Sequence, residues 1–208
     1  MSLTPLQIKS GDLLLEGMLY APDDAASTSV VVVCHPHPQR GGDMHNNVVM
    51  AIVQALNEAG ISAVTFNFRG VGASQGVYAN GIGEQEDVKA AIASAAALGG
   101  VQRTGLAGYS FGAGVAAPAA DESVAALALV SAPTATLQES RLSSYKGPVL
   151  MLAGEADHVS SVEALRRLAA DIGPRAEAVA LPGVDHFWWG HEPKLRQIVG
   201  TFFVKALT

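Results

Sequence analysis

The sequence predicts an α/β fold in which a mostly parallel sheet carries helices on both faces. Short, continuous apolar runs rich in β-branched residues recur along the chain, as in strands buried on both faces. Segments with helical spacing alternate with these runs, which is the order of a parallel sheet. Of the 208 residues, 49% are hydrophobic and only 15% are charged, so a folded chain is expected. One domain covering residues 1–208 fits this length.

The apolar runs predict eight strands, and the segments with helical spacing predict five helices. The chain begins with two antiparallel strands that meet at a turn around Gly11. The predicted strands are Leu6–Lys9, Leu13–Tyr20, Val30–Cys34, Ile61–Phe68, Thr104–Tyr109, Ala125–Val130, Val149–Ala153 and Ala176–Leu181. The predicted helices are Asn46–Ala59, Glu84–Leu98, Phe111–Ala120, Ser160–Ile172 and a last helix from Pro193 onward.

Charge and hydropathy exclude several classes of function. The formal net charge is −6 and no Lys/Arg cluster is present, so neither nucleic acid nor an anionic membrane surface is an expected partner. The most apolar stretch, Val115–Pro133, is interrupted by Asp121 and Glu122 and cannot span a bilayer. The N-terminus lacks the pattern of a signal peptide, and Cys34 is the only cysteine. A cytoplasmic protein without disulfides is expected.

The segment Gly108–Gly112 reads GYSFG and places Ser110 between a predicted strand and a predicted helix. A G-x-S-x-G motif needs this context, because its serine lies on a sharp strand-to-helix turn, the nucleophile elbow. Side chains at Gly108 or Gly112 would collide with neighbouring elements. The Phe111 N–H lies beside the serine, where it can stabilise an oxyanion. We predict that Ser110 is a nucleophile; the alternative is an incidental serine in a glycine-rich turn.

A serine hydroxyl needs a base to take its proton, and the base needs an acid that orients it. Asp157 follows the strand predicted at Val149–Ala153, and His186 follows the strand predicted at Ala176–Leu181. Both therefore share with Ser110 the carboxyl edge of a parallel sheet, where α/β active sites form. This shared edge predicts a catalytic triad of Ser110, Asp157 and His186.

Other acids and histidines in the same two loops compete for these roles. Glu155 could be the acid instead, but it lies closer to the end of its strand. Asp185 adjoins His186, and neighbouring side chains in a turn seldom face each other, so we expect Asp185 to cap the turn. His158 is expected to be solvated, and His191 to cap the last helix or lie at the surface. The alternative for His186 itself is an exposed loop histidine.

The loop after the third predicted strand reads HPHP at residues 35–38. Proline has no N–H, so the backbone N–H of His37 is the available donor for a second oxyanion contact. The alternative is a metal site, because four possible ligands lie within eleven residues: His35, His37, Asp43 and His45. The prolines stiffen the loop and no His/Cys pair elsewhere has ligand spacing, so we expect no metal.

The chain resembles the α/β-hydrolase superfamily from Val30 to the C-terminal helix. The segments that carry the resemblance are His35–Pro38 with Gly41–Gly42, Asn67–Ser74, Gly108–Gly112 and Asp185–Phe187. The closer likeness is to small, lidless bacterial hydrolases that are similar to dienelactone hydrolases and prolyl-oligopeptidase-like esterases. The chain departs from the dienelactone hydrolases at Ser110, where those enzymes have a cysteine.

This resemblance implies a Ser–His–Asp mechanism through an acyl-enzyme, with no metal or organic cofactor, acting on a small carboxylic ester or thioester. In this superfamily a lid commonly follows the strand that ends here at Val130, and residues 130–149 offer no room for one. Phe187 and Trp188 could wall the acyl pocket, or they could pack against the sheet edge. Arg69 is expected to anchor loops by pairing with a carboxylate.

Two other functional classes remain open on the sequence. One is a non-catalytic binding protein that keeps the fold, and the other is a metal-dependent hydrolase that uses the loop with His35 and His37. A homodimer is compatible with the sequence, which does not specify the oligomeric state.

Overall fold

The computed structural model describes residues 1–23, 27–140 and 142–208. Within these residues the strands are β1 (Ser2–Ser10), β2 (Leu13–Ala21), β3 (Ser29–Cys34), β4 (Ser62–Phe66), β5 (Arg103–Tyr109), β6 (Ala126–Val130), β7 (Val149–Gly154) and β8 (Ala176–Leu181). The helices are α1 (Asn47–Glu58), α2 (Gly83–Ala96), α3 (Phe111–Ala119), α4 (Thr134–Glu139), α5 (Val162–Ile172) and α6 (Glu192–Leu207).

The strands form one sheet in the order β1-β2-β4-β3-β5-β6-β7-β8. β1 pairs antiparallel with β2, and β2 pairs antiparallel with β4. All pairs from β4 to β8 along the sheet are parallel. The predicted α/β-hydrolase fold, a mostly parallel sheet with N-terminal antiparallel strands, is therefore confirmed.

The valine run of β3 explains how the sheet holds two helical layers. Side chains of a strand alternate between its faces. Val30 and Val32 accordingly join the apolar cluster that includes residues of α2, α3 and α5. Val31 and Val33 join the cluster that includes residues of α1 and α6. Because both faces are covered, no polar alternation is needed, and the strand reads as one continuous apolar run.

Two strand boundaries differ from the predicted ones by two or more residues, and others differ by one residue. β1 begins at Ser2 rather than Leu6, because its largely exposed N-terminal residues pair with β2 through backbone hydrogen bonds that need no apolar side chains. β4 ends at Phe66 rather than Phe68, and Asn67 starts a loop. The Asn67 side chain accepts the Met44 N–H (2.9 Å) and donates to Glu16 (2.7 Å), which ties the loop after β4 to the loop before α1 and to β2.

The chain order places a topological switch point beside β3 at the carboxyl edge of the sheet. β3 leads through α1 to β4 on one side, and β4 leads through α2 to β5 on the other side of β3. Ligands of open α/β sheets bind at such a switch point. Between β6 and β7, where Arg141 alone lies outside the described residues, the structure has the six-residue helix α4 and no lid domain.

Among the described residues, no helix combines the length and the apolar character that crossing a bilayer requires.

Candidate active site

Ser110 lies on the turn between β5 and α3, and its backbone is in an unusual conformation. Its φ is +53° and its ψ is −119°, which costs free energy for a residue with a side chain. Hydrogen bonds hold the turn, because the Ser110 N–H donates to Val130 O (2.9 Å) and the Gly114 N–H donates to Ser110 O (3.0 Å). The turn therefore fixes the Ser110 hydroxyl at the carboxyl edge of the sheet.

The two glycines of the motif are required by close packing. A Cβ on Gly108 would lie 2.6 Å from the Ala113 N, and a Cβ on Gly112 would lie 2.4 Å from Cys34 O and 2.5 Å from His35 O. Real Cβ atoms do not approach backbone atoms this closely. The first turn of α3 is thus packed directly on the end of β3, which brings the loop after β3 next to Ser110.

The structure brings Ser110, His186 and Asp157 into one chain of hydrogen bonds. Ser110 Oγ lies 2.9 Å from His186 Nε2, and His186 Nδ1 lies 3.0 Å from each carboxylate oxygen of Asp157. The Asp157 side chain is fully buried, whereas 16% of the His186 side chain remains exposed. The imidazole therefore faces both the hydroxyl and the solvent, and the carboxylate lies behind it.

The Asp157 carboxylate is held in its charged form. Burial raises its pKa, but the His186 imidazole, the Ser131 side chain and the N–H groups of Ser160 and Val159 outweigh burial and hold this pKa below its usual value. A carboxyl group with a lowered pKa stabilises the fold above its unfolded pKa, and this stabilisation is lost as the pH falls through the folded pKa. Asp157 is thus charged at neutral pH.

The competing residues take other positions. Glu155 is exposed, and Asp185 accepts the N–H groups of Phe187 (2.9 Å) and Trp188 (3.3 Å), which is the predicted capping of the turn. His158 is exposed, and His191 is the residue before α6. None of these side chains enters the described hydrogen bonds between Ser110, His186 and Asp157.

His37 lies beside Phe111, the other predicted oxyanion donor. The rings of these two residues are 5.0 Å apart. His37 precedes a short 3₁₀ helix, Pro38–Arg40, and Phe111 is the first residue of α3. Neither backbone N–H donates a hydrogen bond to another described residue, so both are available to a ligand.

His35 is fully buried, and both of its ring nitrogens have partners. Nδ1 lies 2.6 Å from Pro36 O, and Nε2 accepts the Phe68 N–H at 3.0 Å. Burial lowers its pKa to about 4, although the Pro36 carbonyl acts in the opposite direction. A neutral histidine with both nitrogens occupied is a structural link rather than a metal ligand. No group of possible metal ligands occurs among the described residues.

This buried imidazole predicts a loss of stability in mild acid. The His35 pKa falls from 6.5 to about 4 on folding, so the unfolded chain binds the extra proton between these values and stability falls as the pH drops. We expect His35 to account for about 2 kcal/mol of the stability lost between pH 7 and pH 4.5. In urea unfolding, the free energy of unfolding of His35→Gln should fall between pH 7 and pH 4.5 by about 2 kcal/mol less than that of the wild type. The control variant His158→Gln changes an exposed histidine, and its free energy of unfolding should fall over this pH range by as much as that of the wild type.

Trp188 corrects one prediction for the acyl pocket. Its side chain is fully buried in the apolar cluster between the sheet and helices α1 and α6. It therefore cannot touch a substrate, and its indole N–H donates instead to Ser131 Oγ at 2.9 Å. A φ of +63° turns Trp188 inward while its neighbours stay outside. Phe187 is 59% exposed and its ring lies edge-on to the His186 ring at 5.7 Å, so Phe187 stays a pocket candidate.

Arg69 anchors a loop, as predicted. Its guanidinium donates to both carboxylate oxygens of Asp87 at 2.7 and 2.9 Å, and its backbone N–H donates to the same carboxylate at 3.1 Å. Asp87 is fully buried in α2 and also accepts the hydroxyl of Ser10 at 2.7 Å. Arg69 therefore joins the loop after β4 to α2 and to β1.

Two residues around the site escape the sequence analysis. The Tyr109 hydroxyl donates to the backbone oxygen of His186 at 2.8 Å and so holds the histidine loop. Ser131, directly after β6, is fully buried beside Asp157. A serine at the carboxyl end of a strand between those that carry Ser110 and Asp157 is the one signal that could have identified it.

The comparison with known proteins agrees with this fold. The family model described as X-Pro dipeptidyl-peptidase (S15 family) matches residues 11–184. An alpha-beta serine hydrolase homologue from Coxiella burnetii is 35% identical, with 100% of this chain and 99% of that chain covered and a TM-score of 0.88. A serine hydrolase without lid from Xanthomonas campestris is 30% identical, with 99% and 95% covered and a TM-score of 0.87.

A dienelactone hydrolase from Anabaena variabilis shares the fold at 17% identity, with 100% of this chain and 99% of that chain covered and a TM-score of 0.85. The resemblance seen in the sequence is thereby confirmed. The family model covers most of the chain, and solved structures of serine hydrolases match its full length. This chain belongs to the α/β-hydrolase superfamily and, within it, to the family described as X-Pro dipeptidyl-peptidase (S15 family).

Proposed function

We propose that this protein is a serine hydrolase that cleaves small carboxylic esters or thioesters through an acyl-enzyme. The observation that carries the proposal is the continuous hydrogen-bond chain from Ser110 Oγ through the His186 imidazole to the buried Asp157 carboxylate. A hydroxyl next to a neutral imidazole, with a carboxylate behind the imidazole, is the arrangement that activates a serine.

In the first half-reaction, Ser110 Oγ attacks the carbonyl carbon while His186 Nε2 takes the hydroxyl proton. The carbonyl oxygen becomes an oxyanion, which accepts the N–H groups of His37 and Phe111. Asp157 holds the proton on His186 Nδ1 and stabilises the imidazolium. His186 then gives its Nε2 proton to the departing alcohol or thiol, the carbonyl re-forms, and the acyl group stays on Ser110.

In the second half-reaction, water replaces the leaving group. His186 Nε2 takes a proton from the water as its oxygen attacks the acyl carbon, and the same two N–H groups hold the second oxyanion. Collapse releases the carboxylic acid as the proton returns to Ser110 Oγ. The described residues suffice for every proton transfer, and the mechanism needs no metal or organic cofactor.

The family is described as that of an X-Pro dipeptidyl-peptidase, so an amide substrate must be compared with esters. The nitrogen of an amide is a poorer leaving group than an alcohol or thiol, and it demands more from the general acid. We expect esters to be cleaved faster than an X-Pro anilide. A preference for the anilide would assign the peptidase activity of the family name to this chain.

Labelling with an active-site-directed phosphonate tests the proposal. We expect rapid modification at Ser110 alone, located by mass spectrometry, and no modification of Ser110→Ala. We also expect Ser110→Ala to lose esterase activity by about three orders of magnitude or more, because the nucleophile is removed.

Three results would contradict the proposal. Labelling at another residue, or equal labelling of Ser110→Ala, would reject Ser110 as the nucleophile. A protein that binds ligands but neither reacts with phosphonates nor hydrolyses esters would be a binding protein on this fold. Hydrolysis that chelators abolish would instead indicate a metal-dependent enzyme.

The segment between β6 and β7 predicts a preference for short acyl chains. Burial of an acyl chain contributes about 0.8 kcal/mol per CH₂ only where apolar surface covers it. The described part of this segment provides one six-residue helix, α4, with Leu137 as its buried residue. In a series of p-nitrophenyl esters kept below their solubility limits, kcat/KM should peak from acetate to butyrate. Faster cleavage of palmitate than of butyrate would contradict the prediction.

A further inference from the structure

Three aromatic rings lie together beside Ser110, and the mechanism uses only the backbone of two of these residues. The Tyr78 ring lies 5.3 Å from the His37 ring and 5.9 Å from the Phe111 ring, and the rings of His37 and Phe111 are 5.0 Å apart. Aromatic rings attract each other at these separations. All three residues are half-buried, so the cluster borders the solvent. Tyr78, His37 and Phe111 are termed the aromatic wall.

The aromatic wall is attached to the core and cross-linked within itself. The Phe111 ring stands edge-on to the ring of Phe68 at 5.7 Å, and Phe68 is fully buried. The Tyr78 hydroxyl lies 3.4 Å from His37 Nε2, and His37 Nδ1 accepts the Gln39 N–H at 3.2 Å. These contacts give the three rings a fixed arrangement before any substrate binds.

The loop that carries Tyr78 is held by a buried carboxylate. Glu84, fully buried in the first turn of α2, accepts the N–H groups of Ala79 at 2.7 Å and Gly81 at 2.8 Å. Asn80, between these two, has a φ of +56°, in the left-handed region that residues with side chains seldom adopt. A buried charge and a strained backbone both cost free energy, and strained backbone concentrates at functional sites. The position of this loop therefore serves the site.

The aromatic wall lies on the side of Ser110 that is opposite His186. The strands of this part of the sheet are ordered β4-β3-β5-β6-β7-β8. Tyr78 lies in the loop after β4 and His37 in the loop after β3, whereas Ser110 follows β5 and His186 follows β8. Because His186 protonates the leaving group, that group must lie on the His186 side of the reacting carbon. The acyl group then extends in the other direction, toward the aromatic wall.

We propose that Tyr78 is a specificity-determining residue, and that the aromatic wall binds the planar ring of an aromatic acyl group. This inference deepens the proposed function and rests on it, because an acyl group is held at this place only if Ser110 reacts. An aromatic ring gains an attraction to aromatic side chains that a saturated ring of similar size lacks. A benzoyl group is little longer than a butyryl group, so it needs no lid.

Two p-nitrophenyl esters test the proposal, the benzoate and the cyclohexanecarboxylate, which share a leaving group and have acyl rings of similar size. The measured quantity is the ratio of their kcat/KM values, and comparing this ratio between variants cancels their different intrinsic reactivities. In Tyr78→Leu, which replaces the ring by an apolar side chain, we expect the ratio to fall about fivefold, as the loss of an aromatic contact predicts. Tyr78→Phe keeps the ring and should keep the ratio within about twofold of the wild type.

A control variant and a second pair of esters show whether the effect belongs to the acyl side. Trp189 is 70% exposed in the loop that carries His186, and Trp189→Leu should not change the ratio. Benzyl acetate and cyclohexylmethyl acetate carry their rings in the alcohol, so Tyr78→Leu should not change the ratio for this pair. An unchanged benzoate ratio in Tyr78→Leu, an equal fall in Trp189→Leu, or a fall for the alcohol pair instead would overturn the proposal.

Binding of the two product acids to Ser110→Ala separates this proposal from the proposed function, because binding needs no chemistry. In NMR titrations we expect benzoate to bind more tightly than cyclohexanecarboxylate, and the added change Tyr78→Leu to remove the difference. This result in a protein whose Ser110 is never labelled by a phosphonate would support the aromatic wall and reject the proposed function. Labelling at Ser110 without any preference for benzoate would overturn the role of the aromatic wall and leave the proposed function intact.

Discussion

Asp157→Asn is expected to lower kcat by about ten-thousandfold while the fold remains intact, as this change does in a serine-protease triad. The Asp157 carboxylate faces His186 Nδ1 with both oxygens at 3.0 Å, so the proton must stay on Nδ1 and Nε2 is left free to act as the base. An amide can instead present its NH₂ group to Nδ1 and favour the wrong tautomer. Steady-state kinetics on a short-chain p-nitrophenyl ester measure this loss.

Glu155 provides the matched control, because it is the other acid in the same loop. Its side chain is exposed, while the Asp157 side chain is fully buried. Glu155→Gln should therefore keep kcat within about twofold of the wild type, as for surface substitutions away from a site. If Glu155→Gln lowered kcat more than Asp157→Asn, Glu155 would be the catalytic acid. The assignment of Asp157 from its hydrogen bonds to His186 would then be wrong.

Gly112→Ala is expected to give the largest loss of stability of any single methyl addition in this chain's elbow, about 3 kcal/mol or more. The added Cβ would meet Cys34 O at 2.4 Å and His35 O at 2.5 Å, and these are backbone atoms that cannot move as a side-chain end can. The helix α3 would have to separate from β3. Thermal or urea unfolding measures the loss, and Ser110 labelling should fail in the same variant.

Gly99→Ala is the control for this substitution. A Cβ at Gly99 meets nothing within 4 Å, and its φ is not in the left-handed region. We expect its unfolding free energy to stay within about 0.5 kcal/mol of the wild type. A Gly112→Ala variant as stable as Gly99→Ala, and still labelled at Ser110, would show that the close packing of the elbow is not required.

The fold was predictable because its signals are local. The continuous valines of β3 indicate a strand buried on both faces, and that pattern depends only on neighbouring residues. The edge shared by Ser110, Asp157 and His186 follows from the order of strands, since the carboxyl ends of parallel strands meet at one edge. The local apolar pattern of the strands and their order along the chain were therefore enough to predict the sheet and the edge at which these three residues lie.

The interior of the site was not predictable in the same way. Phe187 and Trp188 are both large and aromatic, so their residue types do not show which of them is buried. A left-handed backbone turns Trp188 into the core, and the sequence does not indicate this conformation. The bond between Trp188 and Ser131 joins residues 57 positions apart, so no spacing rule could indicate it. Such long-range polar contacts depend on how strands are packed in three dimensions.

The absence of a lid from the described residues between β6 and β7 has a consequence for which acceptor takes the acyl group. On the proposed mechanism, the acyl-enzyme at Ser110 stands in a cleft that bulk solvent reaches directly. Small alcohols then compete with water for the same activated carbonyl, and His186 serves either as the base. With added methanol, we expect part of the turnover to appear as methyl ester rather than acid. The protein would then catalyse acyl transfer as well as hydrolysis.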